Sequence, residues 1–98
     1  KGGRNQEMAL AATLELADDR GIDLICVGTD GTDGPTDAAG GYAFSGDLAR
    51  LCAIGLHPKE SLDANDSYPL LLKAGTLLRT GPTRTNVMDM AIMLVRPK

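Results

Sequence analysis

The sequence predicts a small layered α/β domain with a central sheet, mostly parallel or mixed, flanked by helices. A helix-forming segment at residues 6–17 is followed, after a short link, by an apolar run at residues 24–27, a spacing typical of α/β units. Three further short strands, at residues 40–45, 76–79 and 90–95, are separated by helical patterns or loops. We therefore expect one domain in which helices cover a sheet.

The length and composition fit a single small domain. A chain of 98 residues buries roughly two thirds of its unfolded surface, so only a modest core is expected. Hydrophobic residues make up 43% of the chain and charged residues 23%, but there is one Phe, two Tyr and no Trp. The core is therefore expected to consist of Leu, Ile, Val, Ala and Met.

The first helix and the first strand have clear sequence signals. Asn5 is the expected N-cap of a helix over residues 6–17, and Gly21 is expected to end the segment. One face of this helix carries Leu10, Leu14 and Ala17. The run at residues 24–27 contains only apolar side chains, which is typical of a strand buried on both faces in a parallel sheet.

The middle of the chain predicts a short edge strand and a helix. In residues 40–45 the pattern alternates weakly, so that Tyr42 and Phe44 share a face. Helical spacing follows over residues 47–55, with Ser45 or Asp47 as the cap and Gly55 as the end.

The last third of the chain predicts a further helix and two strands. One helical turn is expected at residues 59–62, and Asn65 or Asp66 then caps a helix that Gly75 ends. Residues 76–79 form a short strand. We interpret residues 90–95 as a strand because of their Ile and Val, although methionines at this density also suit a helix.

Residues 28–40, which we call the acidic segment, are the strongest candidate for a functional site. Three aspartates lie there among glycines and threonines: Asp30, Asp33 and Asp37. A surface loop with Asp and Thr turns is the alternative interpretation. Three carboxylates so close together repel one another unless a cation neutralises them, which favours a site.

Charge and cysteine content exclude several classes of function. A net charge of −3 and few aromatic side chains argue against nucleic-acid binding and against anionic membrane surfaces. Cys26 and Cys52 each lie in an apolar run, so two buried free thiols and a cytoplasmic setting are expected. No apolar run reaches the ~18 residues of a membrane span. His57, which precedes a proline, is interpreted as a surface loop residue.

Four segments together resemble one known family. They are the Gly-Gly-Arg segment (residues 2–7), the acidic segment, the Asn-Asp-Ser-Tyr segment (residues 65–68) and the threonine segment (residues 80–89). In this order they are similar to the C-terminal MOFRL domain of the type II glycerate 2-kinase family. The resemblance implies a two-domain α/β enzyme that transfers phosphate from ATP to D-glycerate, giving 2-phosphoglycerate. The active site would then lie in a cleft between this region and an N-terminal domain of the same chain.

The resemblance and the residue types imply roles for individual side chains. Arg4 is expected to grip a carboxylate or phosphate, and Arg4, Asp30 and Asp33 are the implied catalytic residues. The three aspartates of the acidic segment, Asp30, Asp33 and Asp37, are the implied Mg²⁺ ligands. Contacts to substrate or phosphate are expected from Asn5, Thr83, Thr85 and Asn86. The family usually has Gly where this chain has Arg84, which either tolerates that backbone geometry or adds its charge to a phosphate.

Two alternatives to a kinase remain open from the sequence. The chain has no Gly-x-x-x-x-Gly-Lys-[Ser/Thr] loop and no Gly-x-Gly-x-x-Gly fingerprint, so neither ATP nor NAD binding follows from its motifs. A non-catalytic module could use the acidic segment to bind a cation or a partner. A hydroxypyruvate reductase is the second alternative, because many members of the family carry that label. The first residues resemble the middle of a functional loop, which suggests that the sequence is a fragment of a longer chain.

Overall fold

The computed structural model describes residues 2–15, 21–28, 38–79 and 89–95. The helices in this part of the chain are α1 (Arg4–Glu15), α2 (Asp47–Ala53), α3 (Pro58–Asp63) and α4 (Ser67–Ala74). The strands are β1 (Ile22–Gly28), β2 (Gly40–Ala43), β3 (Leu77–Leu78) and β4 (Asp89–Val95). The predicted α/β class is therefore correct, and residues 90–95 form a strand as expected. No helix among the described residues is both long and apolar enough to cross a membrane.

The sheet is antiparallel throughout, so the expectation of a mostly parallel or mixed sheet was wrong. Its strand order is β3-β2-β1-β4, and each neighbouring pair is antiparallel. Antiparallel neighbours need only a direct connection, whereas parallel ones need a crossover of a dozen or more residues, usually a helix. Residues 29–39 between β1 and β2 are too few for that crossover. The apolar run at residues 24–27 had suggested parallel neighbours, but apolarity carries no information about strand direction.

β2 is an inner strand, which corrects its assignment to the sheet edge. It pairs with β1 on one side and with β3 on the other. Two glycines make this close approach possible. A Cβ on Gly40 would overlap the Cys26 carbonyl oxygen, and one on Gly41 would lie 2.9 Å from Leu71 Cδ1 and 3.1 Å from Ala9 Cβ. Among the described strands, the edges of the sheet are instead β3 and β4.

The core lies between the sheet and the helices. α1 packs on β1 and β2, and α2, α3 and α4 pack against α1. Residues directly opposite each other in a sheet share a face, so Cys26 and its partner Gly41 both face α1. The buried apolar cluster consists of Ala9, Leu10, Cys26, Leu51, Leu70, Leu71 and Ala74.

Two predicted helix caps differ from the structure. The Glu7 N–H donates to the Gly3 carbonyl oxygen (2.8 Å), so Gly3 precedes α1 and Asn5 lies inside the helix rather than capping it. Gly46, at φ 84°, is the N-cap of α2, in place of Ser45 or Asp47. The left-handed backbone at Gly46 favours glycine over Ser or Asp there. The Asp47 carboxylate instead accepts a hydrogen bond from the Phe44 N–H (3.0 Å), which still steadies the start of α2.

Most of the other predictions about helix ends, turns and side-chain positions are confirmed. Asp66 is the N-cap of α4, and Gly75 ends that helix at φ 77°. The turn expected at residues 59–62 is the slightly longer α3, preceded by the exposed His57. The Tyr42 and Phe44 rings share a face and stack, with centroids 5.4 Å apart. Both cysteines are free, but only Cys26 is buried, because Cys52 lies on the outer face of α2.

Candidate functional site

At one end of the sheet, Gly28, Ala39, Gly40, Leu78 and Asp89 lie side by side on the four strands or next to them. We call these five residues the row. They flank the acidic segment and the threonine segment. Gly28 is the partner of Asp89, and Gly40 is the partner of Leu78. The row is joined across its middle because the Gly28 N–H donates to the Ala39 carbonyl oxygen (2.8 Å), and the Ala39 N–H donates to the Leu78 carbonyl oxygen (2.8 Å). The chain therefore enters and leaves both the acidic segment and the threonine segment at this row.

The start of α4 lies at the same end of the sheet. Arg79 directly follows Leu78 in the chain, and its Nη2 donates to the Tyr68 hydroxyl (2.9 Å). The guanidinium carbon lies 6.0 Å from the centroid of the Tyr68 ring, a cation–π distance. Since Tyr68 is the second residue of α4, this contact places the Asn-Asp-Ser-Tyr segment beside the row.

The start of α1 joins this group through Gly2 and Ser67. Ser67 is the first residue of α4 and is fully buried, and its hydroxyl occupies the space that a side chain on Gly2 would need. Within the described part of the chain, the Ser67 Oγ has no hydrogen-bond partner. Gly2 and Ser67 therefore hold the N-termini of α1 and α4 against each other. The described residues of all four segments thus lie at or near this end of the sheet.

The first turn of α1 combines one exposed arginine with two buried amide side chains. Arg4 is exposed, whereas Asn5 and Gln6 are buried to 2% and 0% exposure. Burying two amide side chains costs free energy unless they are hydrogen-bonded, and a purely structural helix would place apolar residues there. The N-terminus of a helix also carries partial positive charge and outward-pointing N–H groups. Together with the Arg4 guanidinium, this end of α1 is suited to an oxyanion.

The predicted site residues fall into two groups. Arg4 and Asn5 lie in the first turn of α1, as described above. The remaining ones lie outside the described residues: Asp30, Asp33, Asp37, Thr83, Thr85 and Asn86, together with Arg84. Within the described ranges, no group of three His, Cys, Asp or Glu side chains could hold a metal ion. The metal assignment to the three aspartates thus stays a prediction.

Sequence reasoning missed three residues at this end of the sheet: Ser67, Tyr68 and Arg79. A signal for two of them was present, because the Asn-Asp-Ser-Tyr segment belongs to the resemblance but received no role. Arg79 had only been interpreted as the end of a strand. Its position directly before the threonine segment is the feature that could have identified it.

Comparisons with known proteins identify the family and the relatives of this chain. The model of the MOFRL family matches residues 1–89. D-glycerate 2-kinase of Thermotoga maritima is 53% identical over 94 residues, covering 96% of this chain and 22% of the relative. Glycerate 2-kinase of Pyrococcus horikoshii is 45% identical over 98 residues, covering all of this chain and 22% of the relative.

A solved structure matches the whole fold. The crystal structure of glycerate kinase from Thermotoga maritima superposes with a TM-score of 0.93 at 52% identity, covering 98% of this chain and 23% of that one. Other relatives, from Agrobacterium vitis, carry a hydroxypyruvate reductase name. This chain thus spans about a fifth of the length of the relatives that it matches.

Proposed function

Because the chain belongs to the MOFRL family, we propose that it is the C-terminal domain of a glycerate 2-kinase. In this proposal it forms one wall of a cleft in which ATP phosphorylates D-glycerate to 2-phosphoglycerate. The observation that supports the proposal is that the described residues of the four segments lie at one end of the sheet. The relatives named glycerate 2-kinase support the reaction assigned to it.

In the proposed cleft, cationic side chains bind the phosphate or carboxylate groups, and anionic side chains bind the metal ion. Phosphoryl transfer depends on positioning and charge neutralisation more than on covalent chemistry. Arg4, at the N-terminus of α1, would hold the carboxylate of glycerate or a phosphate through two parallel N–H···O bonds. Arg79 lies at the same end of the sheet, with its guanidinium oriented by Tyr68. These groups fit a nucleotide phosphate chain or a small carboxylate.

The acidic side of the cleft is assigned to Asp30, Asp33 and Asp37. Carboxylate oxygens are the ligands that Mg²⁺ prefers, and when bound the ion would neutralise charge on the transferring phosphate. Thr83, Thr85 and Asn86 would donate or accept hydrogen bonds around the substrate. Asn5 is buried, so its proposed role is to support the first turn of α1 beneath Arg4 rather than to contact the substrate.

The first test replaces Arg4 by Lys in the full-length protein. We expect kcat/KM for glycerate phosphorylation to fall by about 10- to 100-fold, because a point charge cannot replace a planar fork, a loss on the order of 1–3 kcal/mol. Steady-state kinetics with a coupled assay for ADP measures this. Unchanged kcat/KM would contradict the assignment of Arg4.

Arg50→Lys is the matched control for that experiment. Arg50 lies on α2, where its Nη2 is 3.3 Å from Asp47 Oδ1 and donates to the Ala74 carbonyl oxygen at 3.1 Å. Like Arg4, Arg50 is an exposed arginine on a helix, but its helix lies in the helical layer and Arg50 is not part of the row. Its replacement by Lys should leave the kinetics unchanged.

The second test measures residues 1–98 on their own. We expect no glycerate phosphorylation above background, because a cleft enzyme divides its contacts between both walls and depends on their relative position. The same coupled assay is used, with the full-length protein as the positive control. Turnover by residues 1–98 comparable with that of the full-length protein would refute the proposed division of the site.

A reductase is the second candidate, because relatives carry that name. It predicts oxidation of NADH by hydroxypyruvate, which is followed directly by absorbance. The kinase proposal predicts no such oxidation by the full-length protein.

A further inference from the structure

The sheet has a second face, opposite the one on which α1 packs, and none of the four described helices is assigned to it by its contacts. Directly paired residues share a face, and Cys26, Gly41 and Ala91 lie on the side of α1. The neighbouring positions therefore point the other way. This opposite face, which we call the open face, carries Ile25, Val27, Tyr42, Met90, Ile92 and Leu94. Its one charged member in the paired strands is Asp23, opposite Leu94, whose carboxylate accepts a hydrogen bond from the Ser45 N–H (2.9 Å).

The open face is apolar where a solvated sheet face would be polar. Met90, Ile92 and Leu94 are 45%, 41% and 54% exposed. An antiparallel sheet with one face in water normally alternates apolar and polar residues along each strand. Residues 24–27 and 90–95 carry no charge and do not alternate. Apart from Asp23 in β1 and Asp89 in β4, both strands thus have the composition of strands covered on both faces.

β4 extends this apolar surface beyond the helical layer. Met93 and Val95, which point to the side of α1, are 58% and 69% exposed. β4 is also an edge strand, and an exposed apolar edge promotes aggregation unless something covers it. Contiguous apolar patches of this kind mark interaction surfaces on soluble proteins.

We propose that the open face and β4 dock the part of the same polypeptide that precedes this region in its longer relatives. The sheet then becomes the middle layer of a three-layer domain. Three observations favour this occupant. The relatives that match this chain are more than four times its length, and residues 90–95 offer no charge with which a separate partner could be selected. Residues 24–27 of β1 have the apolar composition of an enclosed strand, and the carboxylate of Asp23 in the same strand is already bonded to the Ser45 N–H.

This proposal rests on the two-domain organisation proposed above but not on the kinase activity. It predicts burial of particular side chains in the full-length protein, whether or not that protein phosphorylates glycerate. The failure of one proposal is therefore distinguishable from the failure of the other.

The test compares two introduced cysteines in the full-length protein, in a Cys52→Ser background that removes the exposed thiol. Ile92→Cys lies on the open face and Leu72→Cys on α4, and the wild-type side chains are 41% and 49% exposed within residues 1–98. Labelling by a maleimide is followed by mass spectrometry of the peptides. We expect the thiol at position 92 to be labelled at least about 10-fold more slowly than that at position 72, because it reacts only when the docked layer opens.

A measurement on the unsubstituted protein guards against a variant that fails to fold. Oxidation of Met90 and Met93 by hydrogen peroxide should be at least about 10-fold slower in the native full-length protein than in urea. Equal labelling of the two cysteines, or unprotected methionines, would overturn the proposal. So would protection that appears only in a concentration-dependent dimer, detected by light scattering, because a second copy would then be the occupant.

Discussion

Replacing Asp30, Asp33 or Asp37 by Asn, one at a time in the full-length protein, is expected to lower phosphate transfer by ~100-fold or more in at least one variant. That is the scale of losing one electrostatic contact in a catalytic site. The three carboxylates belong to a segment flanked by the row at one end of the sheet, on the same side as the N-terminus of α1. Their removal should therefore affect turnover rather than folding.

Stability supplies the second measurement on these three variants. Close carboxylates repel one another, so neutralising one of them should leave the melting temperature unchanged or raise it when no metal is present. Asp63→Asn is the matched control, because Asp63 is an exposed residue at the end of α3 and its loss should affect neither rate nor stability. Near-normal rates in all three variants would show that the acidic segment is a structural loop.

Gly40→Ala is expected to destabilise the protein by about 3 kcal/mol or more, at the upper end of overpacking effects. The added Cβ would overlap the Cys26 carbonyl oxygen and lie 2.9 Å from the Val27 Cα. These are backbone atoms of the neighbouring strand, so no side-chain rotation relieves the contact. β1 and β2 would have to separate at the row that flanks the acidic segment, so activity should fall with stability.

Two further Gly→Ala variants provide reference values for this loss of stability, measured for all three by urea unfolding. A Cβ at Gly41 would lie 2.9 Å from Leu71 Cδ1, which can rotate away, and 3.1 Å from Ala9 Cβ and 3.3 Å from the Thr76 carbonyl oxygen, which move only with their backbones. These contacts are less severe than those at Gly40, so Gly41→Ala is expected to cost about 1–3 kcal/mol. Gly55→Ala meets nothing within 4 Å and costs only the strain of φ 87°, about 1 kcal/mol. The expected order of destabilisation is therefore Gly40, Gly41, Gly55, and a Gly40→Ala variant as stable as Gly55→Ala would contradict the close approach.

The sequence predicted the secondary structure well wherever the signal is local. The helix predicted over residues 6–17 appears as α1 (Arg4–Glu15), with residues 16 and 17 outside the described part of the chain, and the strand over residues 90–95 appears within β4. Both were predictable because periodicity and residue type act within a few residues. Gly75 ends α4 as expected because a left-handed residue there needs no distant partner. Asn5 was misplaced because Asn is a good cap in isolation, whereas Gly3 is held by the packing of Gly2 against Ser67.

By itself the sequence determined the α/β class, most helix and strand positions and the family, since each depends on residue order alone. Tertiary structure decided the antiparallel direction of the strands, the inner position of β2 and the exposure of Cys52. Strand direction depends on which backbone groups can pair across the sheet, and an apolar run carries no record of it. Tertiary structure also brought Gly2, Ser67, Arg79 and Asp89 to one end of the sheet, because sequence spacing cannot specify distances between residues that only hydrogen bonding and packing bring together.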